Sequence, residues 1–216
     1  MLNKTTKLTL PVHCVTGAGE THAFCNDQAV EILRNDGYGK EAAIFSRFKY
    51  QLEEGVKWAD KGLKSFYHFY NAESGIGKWK WPNAILACEL YINRAIKLWK
   101  KRRHESAMFY LGAASHLVQD MCVPHHACCV LTDGHNEYEL WVEVNRKLYA
   151  VYDKGIYTVA KTPGEWVKSN ARFSVGFYIY VKADSTEEEY DYSTRLLLPR
   201  AQRSTSGFWL WFISCL

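Results

Sequence analysis

The chain has 216 residues, of which 48% are hydrophobic and 15% aromatic, with a formal net charge of +4. That is enough apolar material for one compact domain with a sizeable core. The mild charge comes without a basic run of the kind that grips duplex nucleic acid, and no stretch approaches the ~20 apolar residues of a membrane-spanning helix.

Residues 1–16 carry no clear periodicity and read as an irregular N-terminal segment. They are basic but lack the apolar run of a signal peptide. Gly17 to His22 read as a loop opening the first helix, with Thr21 as its N-cap. Ala23, Ala29, Val30 and Leu33 form an apolar stripe, and Gly37 ends the helix. His22 falls in its first turn, where local pattern alone reads it as a capping or surface residue. Residues 40–58 read as one weakly amphipathic helix. Asp60 follows it, and His68 follows in the aromatic run KSFYHFYN. Residues 71–81 are a polar loop with Trp79 and Trp81. Pro82 is expected to start a helix that runs to Arg102, and its basic end, 97–104, reads as solvated.

Residues 106–121 form the next expected helix, and Pro124 breaks it. Asp133-Gly134 makes a turn before a helix from His135 to about Ala160. Thr162-Pro163-Gly164-Glu165 is a capping box with proline at the first helical position. The helix it opens is expected to bury Trp166, Phe173, Phe177 and Tyr180 or Val181. An acidic loop over 184–192 leads into a last helix, about 190–212, with Trp209, Trp211 and Phe212 packed inward. No repeat, linker or strand is evident, so residues 17–216 read as one all-α helical domain. The seven cysteines contain no CxxC pair. They lie in helical, apolar contexts and read as mostly free, buried thiols.

One stretch, 109–141, concentrates groups able to bind a metal. His116 and Asp120 are four apart and share a helix face; His135 and Glu139 repeat that spacing. His126 lies between the pairs. Two antiparallel helices would each aim a pair inward, with His126 added from their connection. Imidazole nitrogen and carboxylate oxygen suit zinc, and five such groups exceed what one catalytic zinc uses. At least two ions are expected.

The ordered motifs resemble the zinc-dependent phospholipase C family, which shares its fold with the S1/P1 nucleases. GAGETHA over 17–23 is similar to the G-x-G-T-H-A segment of the clostridial alpha-toxin type enzymes. GVKWAD with YHFYN over 55–71 resembles the Asp…His-F-[WY]-D segment. FYLGAASHLVQD…PHHA over 109–127 resembles F-Y-L-G-x-x-x-H-Y-x-G-D…P-x-H-x-A. GHNEYE over 134–139 resembles G-H-x-K-[FY]-E, and the tail AQRSTSGFWLWF is similar to the end of the alpha-toxin catalytic domain. The resemblance implies an all-α helical bundle of the phospholipase C/P1 nuclease type and a site of two to three zinc ions. Asp60, His68, His116 and Asp120 would hold one ion, and His126, His135 and Glu139 a second. His22 would join Asp120, as a bridge, at a third. It also implies Asp60 as general base toward the attacking water. His125 falls at a non-ligand position and reads as packing.

The chain departs from the family in four places. At the position of the N-terminal tryptophan that completes the third site stand Val12 and His13. Gln119 replaces the glycine before the bridging Asp120. Lys61 stands where the bacillus-type enzyme has an aromatic residue, and Asn71 replaces an aspartate. The implied function is phospholipase C cleavage of glycerophospholipid at a membrane or micelle surface, releasing diacylglycerol and a phosphorylated head group, in a secreted enzyme. Glu139, four after His135, matches the lipases; the nucleases carry aspartate there. The alternatives are an S1/P1-type single-strand nuclease and a catalytically inactive zinc-bound helical domain.

Overall fold

The computed structural model describes residues 19–78 and 82–216. The expected N-terminal segment, His13, Gly17, Ala18, Trp79 and Trp81 lie outside the described residues. Among those described the chain is all-α. Its helices are α1 (Glu20–Asn35), α2 (Gly39–Arg47), α3 (Lys49–Ala59), α4 (Ala84–Lys100), α5 (His104–Asp120), α6 (Pro124–Cys128), α7 (His135–Asn145), α8 (Pro163–Ser174) and α9 (Glu187–Ser214). Short 3-10 turns cover Gly62–His68, Arg146–Tyr149 and Val175–Tyr180. No helix among the described residues is long and apolar enough to cross a membrane.

The bundle is built around α5. Twelve consecutive-to-near-consecutive positions of this helix, from Ala107 to Asp120, are buried, and they include both faces. A helix that is buried all round must be covered on every side. Helices α3 and α4 pack along it, and α8 and α9 close the remaining flank. The approach of α3 to α5 is unusually close. A Cβ added to Gly55 would collide with the Phe109 carbonyl, and one added to Gly112 with the Leu52 carbonyl. Each glycine faces the backbone of the other helix, so at these two points the helices approach with no Cβ between them. This contact sets the end of α3, and therefore Asp60, beside the end of α5.

Helix α9 joins the layers through a buried polar stripe. Asn170 Nδ2 of α8 donates to the Val118 carbonyl and to Ser204 Oγ. Trp209 Nε1 donates to Ser115 Oγ of α5. Trp209 and Phe212 are fully buried, as expected from the sequence, and Trp209 lies against Phe45; Trp211, expected to pack inward with them, is only half-buried and donates through Nε1 to the Lys161 carbonyl.

Several boundaries differ from the sequence reading. The first helix is capped by Gly19 in the left-handed region, φ 97°, not by Thr21, which makes no side-chain cap bond. Its buried face is Cys25, Ala29, Ile32 and Leu33, while Ala23 and Val30 are only half-buried. The expected helix over 40–58 is two, broken at Phe48, whose ring packs edge-on against Trp99 and His104. His104 is thereby half-buried rather than solvated, its ring 4.3 Å from Trp99. Helix α4 starts after Pro82 because Asn83 accepts from Leu86 N as its N-cap. Helix α7 does not reach Ala160: it ends at Asn145. Beyond it, Gln202 of α9 bonds Val151 N and the Tyr149 carbonyl, and Asp36 accepts from Lys154 N and Gly155 N. Side chains satisfy backbone groups that a longer helix would have paired internally.

The capping box at Thr162 opens α8 as expected, but Phe173 is 36% exposed; Trp166, Val167 and Ala171 form the inner face. The acidic stretch is not a loop: a second capping box, Thr186 with Glu189, starts α9 at Glu187. Its three glutamates lie at the positive end of the helix dipole. Cys25, Cys88 and Cys122 are free and buried, whereas Cys128, Cys129 and Cys215 are free but partly exposed.

The glycine contact generates a prediction. Gly112→Ala should destabilise the protein by at least about 1–3 kcal/mol, the range of overpacked cores. Thermal unfolding measures it, and an unchanged midpoint would show that α3 and α5 are not in backbone contact.

Candidate metal centre

Helix ends deliver the carboxylates of the candidate centre. Asp60 is the C-cap of α3, and Asp120 is the last residue of α5. Both carboxylates therefore sit at the negative ends of helix dipoles, where a negative charge is disfavoured without a cation. The 3-10 turn after α3 brings in His68, and one turn back on α5 stands His116. His68 Nδ1 lies 3.0 Å from Asp120 Oδ2 and 3.6 Å from Asp60 Oδ1. His116 Nε2 lies 3.2 Å from Asp60 Oδ1 and 3.2 Å from Asp120 Oδ2. The two imidazole nitrogens face each other at 3.2 Å. His68 Nε2 is 3.1 Å from the Ala59 carbonyl and must donate to it, which leaves Nδ1 as the lone pair aimed at this group.

The second cluster comes from the α6–α7 region. Pro124 starts α6, which presents His126. A turn with Asp133 at φ 62° and Gly134 at φ 90° then starts α7 at His135. His126 Nε2, His135 Nε2 and Glu139 Oε1 form a triangle with edges of 3.2, 3.0 and 3.2 Å. Phe69 stacks on His126 and His125 stacks on His135, which hold the rings in place. His125 is thus packing, as the sequence implied. Its Nε2 is 3.1 Å from the Asp133 carbonyl, and burial pushes its pKa down to about 4, so it donates there as a neutral ring. The expected pairing of α5 with α7 is not how the groups converge. Helix α7 packs on α1 and α9, and each His/carboxylate pair serves a separate cluster.

His22, in the first turn of α1, completes a third grouping. Its Nε2 lies 3.3 Å from Asp120 Oδ1 and its ring 4.0 Å from that of His116. Asp120 therefore turns one oxygen to His68 and His116 and the other to His22.

These donor sets fit zinc. Zinc–nitrogen and zinc–oxygen bonds of about 2.0–2.2 Å place neighbouring ligand atoms of a tetrahedron about 3.3–3.6 Å apart. The edges here are 3.0–3.6 Å. Asp120 Oδ2 is buried and accepts no hydrogen bond of ordinary geometry, although two imidazole nitrogens lie against it. One proton can lie along only one edge of the His126–His135–Glu139 triangle, whereas a cation satisfies all three corners at once. Among the described residues the chain thus carries three His/carboxylate clusters able to coordinate metal. Asp60, His68 and Asp120, His22, and the whole second cluster open into one cavity of about 430 Å³. Phe66, Leu131, Tyr138, Val142, Leu197 and Leu198 line it as well. No lysine or arginine lines it among the described residues.

The sequence did not point to Gln119, whose side chain is buried and reaches His22. An amide among metal-type residues carries no spacing signature, and only its departure from the family's glycine marked it. The apolar lining residues from α7 and α9 were equally invisible, because only the fold brings Val142 and Leu197 to one cavity. Asn71 is explained locally: its Oδ1 accepts from Glu73 N and Ser74 N and closes a turn.

Burial opposes charge on Asp120, yet His116, His126 and His68 hold its carboxylate well below the usual range. Burial likewise opposes the charge on His116, but Asp120 and Asp60 raise it to about 10. Burial works against Asp60 too, and His116 brings it below its usual value. Glu139 is depressed in the same way by His126 and His135.

A family model described as zinc dependent phospholipase C matches residues 21–190. Curated phospholipases C are similar in sequence. One from Clostridium perfringens is 26% identical over an alignment of 226 positions, covering 87% of this chain and 57% of the relative. One from Bacillus cereus is 26% identical, covering 89% of this chain and 80% of the relative. The solved alpha-toxin of an avian Clostridium perfringens strain superposes with a TM-score of 0.78 at 24% identity, over 89% of this chain and 62% of that one. The alpha toxin of Clostridium absonum does so with the same TM-score at 21% identity, over 90% of this chain and 63% of that one. The chain spans little more than half the length of the clostridial relatives. It belongs to the zinc-dependent phospholipase C family.

The charge pattern sets a pH dependence for the metal-free chain. The His116 contribution is fully present below its ordinary value of 6.5 and is lost as pH rises toward about 10. The Asp120 contribution is present above its ordinary 3.8 and is lost as pH falls below that. Thermal unfolding in chelator should show a midpoint highest between these two values. Zinc must displace the His116 proton, so its stabilising effect should widen as pH rises from 6 to 9. A zinc effect independent of pH over that range would contradict the assignment.

Proposed function

We propose that this member of the zinc-dependent phospholipase C family is a phosphodiester hydrolase that cleaves glycerophospholipids of the phosphatidylcholine kind, releasing diacylglycerol and a phosphorylated head group. The observation that carries the reading is the single cavity in which three His/carboxylate groupings meet an apolar lining. A lipid phosphodiester presents both a charged phosphate and apolar chains. A single-stranded nucleic acid is a polyanion and is usually met by a basic groove. The cavity has no basic lining among the described residues, which favours the lipid over the nuclease reading.

Zinc supplies charge neutralisation at phosphate oxygens and lowers the pKa of water toward ~7. Asp60, His68, His116 and Asp120 would hold one ion, His126, His135 and Glu139 a second, and His22 with Asp120 would contribute to a third. Asp60 is the carboxylate suited to general-base work. Its side chain is 31% exposed to the cavity, against 3% for Asp120. It is held ionised below its usual range, so it can accept a proton from an attacking water. Asp120 is enclosed and serves to bind. Phe69 and His125 fix the rings of the second cluster, so its donors converge before substrate arrives. The apolar residues exclude water from the reacting phosphate and accept the glycerol end of the lipid.

Purified protein should bind at least two zinc ions per chain by elemental analysis and release head group from phosphatidylcholine micelles, with little cleavage of single-stranded DNA. Glu139→Ala should lose one ion and nearly all turnover while far-UV circular dichroism keeps its helical signal. Asp60→Asn should lower kcat by at least about 10²-fold, the lower end of general acid–base contributions. Faster hydrolysis of DNA than of lipid would transfer the reading to the nuclease. Zinc binding without turnover on either would leave a metal-bound helical domain.

A further inference from the structure

We infer that Gln119 is a positioning residue that fixes the tautomer of His22, so that its Nε2 is always the atom offered to a cation shared with Asp120. The inference rests on the metal-binding reading of the centre and adds a residue outside its ligand set. Gln119 is 3% exposed in the last turn of α5. Its Nε2 lies 2.9 Å from Asn26 Oδ1 and 3.0 Å from Thr205 Oγ1. Its Oε1 lies 2.8 Å from His22 Nδ1.

The orientation of the amide follows from Thr205. The Thr205 hydroxyl hydrogen is committed to the Ala201 carbonyl at 2.7 Å, so toward Gln119 its oxygen can only accept. That places the NH2 of Gln119 at Thr205 and Asn26 and its oxygen at His22. An oxygen accepts, so His22 Nδ1 must carry the proton. His22 Nε2 is then a lone pair, 3.3 Å from the Asp120 Oδ1 that also has only lone pairs to give. Two acceptors facing each other across that distance repel unless a cation lies between them. The arrangement joins α1, α5 and α9, because Asn26, Gln119 and Thr205 stand on three helices. A glycine before Asp120, as in the family pattern, has no side chain to do this.

The test uses the full-length chain labelled with 15N, with His22 assigned by comparison with His22→Asn. Long-range 1H–15N correlation reads which ring nitrogen is protonated. In the metal-free protein, and again with zinc, Nδ1 should be protonated, and with zinc Nε2 should not be. An Nδ1 without a proton in either state would mean that the amide is flipped and would overturn the inference, even where zinc binds. This reading needs no variant. Zinc titration against a competing chelator then compares the unaltered chain with Gln119→Met. The methionine variant should weaken one zinc site by about 10–100-fold, the usual effect of losing a group that orients a ligand. Unchanged zinc affinity in Gln119→Met would overturn the inference. Failure of the unaltered chain to bind zinc would instead overturn the functional reading, and the metal-free spectrum would still decide the role of Gln119.

Discussion

Asp120 is 2% exposed and ends a helix that is itself buried on every side. Its carboxylate has lost most of its water and faces the negative end of the α5 dipole, two effects that each disfavour its charge. A buried carboxylate in that position persists only if positive charge gathers around it. Three imidazoles do so, from α1, from α5 itself and from the turn after α3. Every one of them offers a ring nitrogen, which binds a proton or a metal ion with the same lone pair. The centre therefore has two ways to be neutral, and zinc and protons compete for it.

Asp120 alone would not make a site. A second carboxylate must arrive close to it, which electrostatics opposes, and the backbone contacts of Gly55 with Phe109 and of Gly112 with Leu52 supply the geometry. With no Cβ at these two positions, the α3 C-terminus reaches the last turn of α5, and Asp60 lands 3.2 Å from His116. Apolar packing on the rest of α5 provides the driving force that holds two like charges together. Core and centre are in this sense one structure: the dispersion and burial of Leu52, Leu111 and Leu117 hold in place an arrangement that repels itself. Folding stability is spent at the centre and recovered when a cation binds, which is linkage between metal and fold.

Much of this was legible in the chain. The spacings of His116 with Asp120 and of His135 with Glu139 put each pair on one helix face, and the structure keeps them there. The all-α class followed from helical periodicity and caps, and Thr162 with Glu165 caps α8 as its sequence suggests. What was not legible depended on long-range partners. Residues 146–160 have no local breaker strong enough to end α7, and only Gln202 and Asp36, far away in sequence, supply bonds that replace the helical ones. Phe48 breaks a helix because its ring finds Trp99 and His104. His22 looked like a capping residue because its neighbours, Gln119 and Asp120, are nearly a hundred residues away; only the resemblance raised it.

The division of the two Asp120 oxygens has a consequence for how the groupings act together. Oδ1 faces His22, and Oδ2 faces His68 and His116. A cation at one oxygen withdraws electron density from the other, so a carboxylate shared in this way binds the second cation less strongly than the first. The His126–His135–Glu139 triangle shares no ligand with either and is free of that penalty. The groupings should therefore differ in affinity by construction: the triangle keeps its donors to itself, while the His22 grouping shares the His116 ring and the Asp120 carboxylate with the Asp60–His68 set. An aligned His22 matters most there. Where donors are shared, the fixed direction of each lone pair would decide whether an ion stays, and a buried amide that only orients one ring would then belong to the functional architecture rather than to the packing of the core.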